Sequence, residues 1–329
     1  MIASTLSRSA GRLLYRQGNV LVRNFTNLSE RSKPTRALNL LSSRSMASAA
    51  APAVSLGNAL KNLAEQMPEK DCVRYEHKNV KWSFKHVEYF ADCLATGFVE
   101  QGLQPGDKVL SWLPAHFSEQ VSIFIKIKYL LADLYLRVSC PLQHILQFAC
   151  SKAGFILYSL DPKLAITDKE ASKKELGSAL EVTEANVLVT QEAGDDVHYA
   201  ELVQELVPET RIFDVSDGHP FFTPRYPHLR VIVQTGYEIG DNYGMQLLKH
   251  VLVPSGQLET FLGDANISGK TPVYGELVKG ANGMLTKGKV LSNEEVMIAG
   301  VWPTVTSILK KEYTEVEGVG VESLRRTTK

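Results

Sequence analysis

Apolar positions recur at helical spacing through Leu56, Leu60, Leu63 and Ala64, and Pro68 ends the run, which predicts a first helix. Two short strands follow, Cys72–Tyr75 and Val80–Trp82, separated by a polar turn. Ser83 is placed to cap a long helix carrying Phe84, Val87, Phe90, Ala91, Leu94 and Phe98 on its apolar face and ending at Gly102. Pro105-Gly106-Asp107 reads as a turn into the buried strand Val109–Leu113, which Pro114 stops. The pattern then alternates: a helix over 144–153, a strand over 155–160, a charged helix over 168–182, a strand over 186–190, a helix over 198–206, a strand over 230–235 and a helix over 244–252. Strands that are apolar on both faces and alternate with helices predict an α/β fold, a parallel sheet flanked by helices.

Beyond about residue 254 the periodicity weakens. Glycines at 275, 280, 283 and 288 separate short elements, and a helix-like stretch at Val301–Tyr313 precedes Thr314–Val321 and a basic end. The chain therefore divides into residues 1–50, an α/β domain over 51–253, and an irregular C-terminal extension over 254–329 that packs on the domain or on a partner.

Charge changes the picture at the amino terminus. Of 36 basic and 36 acidic residues in the chain, residues 1–50 hold eight basic and one acidic, leaving 28 basic and 35 acidic in the rest. An acidic body lacks the positive face that would replace phosphate counterions, so nucleic acid is excluded as a partner. The first 50 residues are rich in Arg and Ser, with Ile2, Leu6, Leu13, Leu14 and Val20 to Val22 as interrupted apolar positions, which predicts a mitochondrial transit peptide followed by a linker. A disordered basic tail is the competing reading. The expected location is mitochondrial, in the matrix by default. The most apolar long stretch, Val121–Cys140, contains Lys126, Lys128, Asp133 and Arg137, too many charges for a transmembrane segment.

Candidate chemistry is sparse. Cys72, Cys93, Cys140 and Cys150 form no CxxC pair, and the Cys140–His144 spacing has no second pair to complete a metal shell. His86, His144 and His250 fall within helical patterns and read as surface or core histidines.

The stretch from Leu56 to Asp161-Pro162 resembles the AMP-binding domain of the adenylate-forming acyl-CoA synthetase superfamily. The residues that carry the resemblance are Leu56-Gly57 with Leu60, Leu63, Ala64 and Pro68; Trp82-Ser83-Phe84; Gly102-Leu103-Gln104-Pro105-Gly106-Asp107-Lys108-Val109; Leu113-Pro114 with Glu119; and Ala149-Cys150-Ser151-Lys152-Ala153-Gly154. It continues more faintly through Glu184-Ala185-Asn186-Val187-Leu188 and Leu229-Arg230-Val231-Ile232. These are scaffold motifs. The family's chemistry requires a Gly/Ser/Thr-rich phosphate loop ending in Pro-Lys-Gly, an aromatic-Gly-x-Thr-Glu segment, a ribose-binding Asp, and a mobile carboxy-terminal domain bearing a lysine. The nearest phosphate-loop echo is Asn266-Ile267-Ser268-Gly269-Lys270-Thr271-Pro272, with one glycine and a different order, and Tyr274-Gly275-Glu276 lacks the Thr-Glu pair. The ribose Asp and the carboxy-terminal domain find no counterpart. Adenylation places a carboxylate on a phosphate, so a catalyst without donors and cations for those charges stabilises little.

No catalytic, cofactor-binding or metal-binding residue is assigned on this basis. The expected role is a non-catalytic acyl-CoA synthetase-like pseudoenzyme in fatty acid metabolism, acting as a structural or accessory subunit of a mitochondrial assembly, with protein subunits as partners. The alternative is an active acyl-CoA ligase using fatty acid, ATP, Mg2+ and CoA, truncated in this sequence or completed by another chain. One further feature breaks the family pattern. Between Gln120 and His144, 23 residues intervene, Val121 to Gln143, whose ends match the in-frame translation of a retained intron; a genuine surface insertion is the other reading.

Overall fold

The computed structural model describes residues 55–75, 80–113, 121–125, 136–140, 142–194, 197–215, 221–236, 243–254, 258–263, 265–280, 284–302 and 305–309, side chains excepted at 75, 80, 121–125 and 136–140. All of these belong to one compact unit, residues 50–329.

Helix α1 (Leu56–Gln66) opens with Ser55, whose side chain accepts the N–H of Asn58, and buries Leu56, Ala59, Leu60 and Leu63 on one face. Strands β1 (Asp71–Tyr75) and β2 (Val80–Ser83) pair antiparallel as a separate ribbon. Helix α2 (Phe84–Glu100) follows, capped by Ser83 as its sequence predicts. Next come β3 (Lys108–Trp112), β4 (Val121–Ile125), β5 (Leu136–Cys140), α3 (Leu142–Ala153) and β6 (Ile156–Ser159). The series continues with α4 (Leu164–Thr167), α5 (Lys169–Thr183), β7 (Val187–Thr190), α6 (Tyr199–Leu206) and β8 (Val231–Gln234). Then come β9 (Gln246–Leu247), α7 (Leu248–Val251), α8 (Leu258–Leu262), β10 (Pro272–Lys279), β11 (Leu285–Ser292) and α9 (Asn293–Ala299).

Seven strands form the main sheet in the order β11-β10-β6-β3-β7-β8-β9, parallel throughout except for the β10–β11 pair. Alternation along each strand sorts the core into two layers. Val109, Leu157, Val187, Val189, Val231 and Val233 pack with residues of α1, α2 and α3, whereas Leu110, Trp112, Tyr158, Leu188 and Ile232 pack with residues of α5 and α6. Helices therefore cover both faces, and the α/β architecture expected from the apolar strands is what forms.

Two close approaches need glycine. A Cβ on Gly97 would lie 1.6 Å from the Val251 carbonyl oxygen, so α2 and α7 meet backbone to backbone. A Cβ on Gly275 would lie 2.2 Å from the Tyr158 ring, which lets β10 lie against β6.

Two parts of the structure differ from the pattern of the sequence. The helix expected over 244–252 is a two-residue strand, β9, followed by one helical turn, α7. Pairing of Gln246 and Leu247 with β8 takes the backbone hydrogen bonds that the helix would have used. The segment after residue 254 is also more regular than its glycines suggest. β10 and β11 are eight residues each and extend the main sheet beyond β6, so this part of the extension is built into the domain's own sheet. Residues 305–309 are helical, with Val305 and Leu309 buried, while 310–313 of the expected helix lie outside the described residues.

The insertion contributes β4 and β5, which pair antiparallel from Val121↔Cys140 to Ile125↔Leu136 as a two-stranded sheet apart from the main one. Residues 1–54, which include the whole of the expected transit peptide and linker, lie outside the described residues. Among the described residues no helix is long and apolar enough to cross a membrane.

Candidate functional site

Three regions hold polar groups arranged for more than packing. The first is the segment singled out as a phosphate-loop echo, residues 266–272. It folds into a tight turn that consumes its own donors. Ser268 N–H donates to Thr271 Oγ1 (2.9 Å), Lys270 N–H to Ser268 Oγ (3.3 Å), and Thr271 N–H to the Ser268 carbonyl (3.1 Å). Asn293 Nδ2 donates to the Ser268 carbonyl at 3.1 Å, tying the turn to α9. A phosphate cradle needs converging free N–H groups, and here these are spent locally.

A closer match lies between β10 and β11. The run Gly280-Ala281-Asn282-Gly283-Met284-Leu285-Thr286-Lys287-Gly288 has two glycines ahead of Thr-Lys-Gly, one substitution from the family's Pro-Lys-Gly. Along the sequence its glycines read as separators of short elements, which hides the match. The signal in the sequence is Lys287-Gly288 followed, after Lys289, by Val290-Leu291-Ser292. Residues 284–302 are described, and Thr286 and Lys287 lie within the β11 ladder, opposite Val278 and Leu277. Lys287 Nζ sits 3.3 Å from Glu184 Oε2, and Lys279 Nζ sits 2.8 Å from Glu175 Oε1. Glu184 caps α5 in the left-handed region and also accepts from Lys108 Nζ at 2.7 Å. Hydrogen bonds from Lys108 and then Lys287 push its carboxyl down to about 2. Lys289 Nζ in turn lies 2.7 Å from Glu295 Oε1, so all three lysines of the hairpin are paired with carboxylates.

The second region is a cleft of about 600 Å3 between α1, α2 and α8. Its floor is Lys152, 8% exposed, whose ammonium is 2.6 Å from Glu88 Oε1 and also pairs with Asp92. At the rim Lys61 Nζ lies 2.5 Å from Glu259 Oε1. These are structural ion pairs that lock the helices together. A Cβ on Gly57 would lie 2.4 Å from Lys152 Cγ, so the lysine stem fills the space above α1.

The third region is the carboxyl edge of the parallel sheet. Ser111 at the end of β3 donates its hydroxyl to Gln143 Oε1 (2.7 Å), and Gln143 Nε2 donates to Ser159 Oγ at the end of β6 (3.3 Å). The first turn of α3 thereby ties two strand ends. Glu192 N–H donates to Thr235 Oγ1 at 3.2 Å and ties the ends of β7 and β8.

The histidines and cysteines fall into place around these regions. His86 Nδ1 lies 2.9 Å from Ser83 Oγ, its ring edge-on to Trp82, and His250 is exposed. His144 is a core residue, 3% exposed, and burial lowers its pKa to about 4. Cys72, Cys93 and Cys150 are buried and stand outside any disulfide, and burial pushes the Cys93 thiol up to about 11. Among the described residues no group of three or more His, Cys, Asp or Glu side chains is placed to hold a metal ion.

The geometry defines a doubly wound α/β domain whose described polar groups serve mainly to join elements. In sequence it is similar to acyl-CoA synthetases. It is 22% identical over 250 residues, 74% of this chain and 34% of the relative, to the "Medium-chain acyl-CoA ligase ACSF2, mitochondrial" of Macaca fascicularis. To the protein of the same name from Bos taurus it is 20% identical over 203 residues, 62% of this chain and 27% of the relative. The chain thus spans about a quarter to a third of the length of these curated relatives. No family model matches it. Among solved structures it is similar to coronafacic acid ligase from Pectobacterium brasiliense (13% identity, 74% of this chain, 36% of that chain, TM-score 0.49). It is similar also to acetoacetyl-CoA synthetase from Streptomyces lividans (16% identity, 74% of this chain, 31% of that chain, TM-score 0.48).

Proposed function

We propose that this chain is a pseudoenzyme: it keeps the first part of an acyl-CoA synthetase scaffold, does not adenylate fatty acids, and serves as a structural or accessory subunit of a mitochondrial assembly. The observation that carries the reading is the state of the β10–β11 hairpin. Its Thr-Lys-Gly is one substitution from Pro-Lys-Gly, Thr286 and Lys287 pair with β10, and Lys287 lies 3.3 Å from Glu184 Oε2. Phosphoryl chemistry draws nearly all of its rate from donors and cations placed around the phosphates. A lysine engaged at 3.3 Å by a carboxylate must break that pair before it can serve. Residues 1–50 act in this reading as the mitochondrial address, in keeping with the location in the names of the curated relatives. The α/β body presents a built-in carboxy-terminal hairpin for contact with other subunits.

The test is ATP–pyrophosphate exchange by the recombinant mature chain with short-, medium- and long-chain fatty acids. The expected result is no exchange above background with any of them. Exchange that depends on fatty acid would overturn the proposal and assign an active ligase instead. Native electrophoresis of mitochondrial extract is expected to show the chain migrating well above its own mass of 36.4 kDa.

A further inference from the structure

The cleft between α1, α2 and α8 holds more negative charge than its ion pairs balance. Its wall carries five carboxylates, from Glu65, Glu69, Glu88, Asp92 and Glu259, against three ammoniums, from Lys61, Lys85 and Lys152. Two negative charges are therefore in excess. One belongs to the trio in which Lys152 alone faces both Glu88 and Asp92. The other is Glu65, exposed on α1, which makes no salt bridge among the described residues. Lys61, one turn before it, is engaged by Glu259 at 2.5 Å. The chain segments leading into α1 and α8, 50–54 and 255–257, contain no charged residue to offset this excess.

The shape leaves room for part of another molecule. Asn58, Lys61 and Glu65 recur at helical spacing and line the cleft along α1, about 12 Å of helix from 58 to 66. Lys85, Glu88 and Asp92 do the same along α2. Toward the start of α1 the Lys61–Glu259 pair bridges to α8, which packs on α2. Just past the end of α1, the Lys85 N–H donates to the Pro68 carbonyl at 3.2 Å and closes the other side. The volume of about 600 Å3 is in the range of binding pockets. Ala64, Pro68, Leu258 and Leu262 give it apolar wall between the carboxylates.

We propose that this cleft is a docking surface for a basic amphipathic helix of a partner protein. Lysine or arginine heads of the partner meet Glu65 and the Glu88–Asp92 pair, while their aliphatic stems lie on the apolar wall. Charge complementarity selects this occupant, because an acidic segment would add to the excess already present. A metal ion is a poor fit, since among the described residues no three acidic, His or Cys side chains are grouped to hold one. The flanking stretch of α1 matches about two turns of a partner helix. The inference rests on the accessory-subunit reading and deepens it. Peptide binding and pyrophosphate exchange are separate measurements, so either can fail alone.

The probe is a capped helical peptide of about 15 residues with lysines and leucines on one face, and its twin carries glutamine at each lysine. Fluorescence anisotropy with the full chain is expected to show binding of the lysine peptide and about fivefold weaker binding of the twin. Glu65→Lys is expected to weaken the lysine peptide by a similar factor. Glu201→Lys makes the same change in net charge at an exposed site on α6, which lies on the opposite face of the sheet, and is expected to leave binding unchanged. Absence of binding, or equal binding of the two peptides, would overturn the proposal. So would equal weakening by Glu65→Lys and Glu201→Lys, which would reveal only bulk attraction to an acidic body. Spermidine that binds through Glu65 where the peptide does not would give the cleft to a small polyamine. A dimer of the chain that Glu65→Lys dissociates would give it to a second copy, and either result removes the partner helix.

Discussion

Ser151 Oγ on α3 donates to Asn293 Oδ1 at the start of α9, at 2.6 Å. The two residues are 142 positions apart, and both are buried. The serine oxygen also accepts the Gly57 N–H at 3.0 Å, and Asn293 reaches on to the Ser268 carbonyl. This chain of bonds joins the first helix, the α3 crossover and the carboxy-terminal hairpin through one interior point.

Asn293→Ala should therefore loosen the hairpin more than the rest of the domain. It leaves the Ser151 hydroxyl without its acceptor and the Ser268 carbonyl with only the Thr271 N–H, a loss of about 1–3 kcal/mol. Urea unfolding measures the total. Amide hydrogen exchange is expected to quicken over 272–299 before it does in β3 or β7, and uniform quickening would show that the hairpin is not held at this point.

Lys152 balances two carboxylates, Glu88 and Asp92, one turn apart on α2. Lys152→Met should cost on the order of 3 kcal/mol, because two partly buried acids are left facing each other. Replacing all three by apolar residues of similar volume should recover most of that loss. A single Lys152→Met as stable as the wild type, by thermal or urea unfolding, would show the ion cluster to be dispensable.

His144 makes stability depend on pH. Burial holds its pKa at about 4 against an ordinary 6.5, so the unfolded chain takes up the proton first as pH falls. Its contribution is fully present above about pH 6.5, declines between 6.5 and 4, and levels off below. The total is on the order of 3 kcal/mol. Urea midpoints measured across that range should fall for the wild type and fall less for His144→Leu.

Much of the fold was legible along the chain. The alternation of apolar strands with helices predicted β3, β6, β7 and β8 and the helices between them to within a few residues, since a strand buried on both faces must read as an unbroken apolar run. Ser83 announced α2 because a cap depends only on residues three apart. β9 and the β10–β11 hairpin escaped. Two paired residues leave too little periodicity to detect, and Gly275 is required by the Tyr158 ring across the sheet rather than by its own neighbours in sequence.

What the sequence determined by itself was therefore local: fold class, caps, the acidic body and the basic amino terminus, each a property of neighbouring residues or of bulk charge. Tertiary structure alone decided which glycine run lies in the sheet, that Glu184 pairs with Lys287, and that Ser151 and Asn293 meet in the interior. These depend on groups brought together from distant positions, which no spacing along the chain encodes.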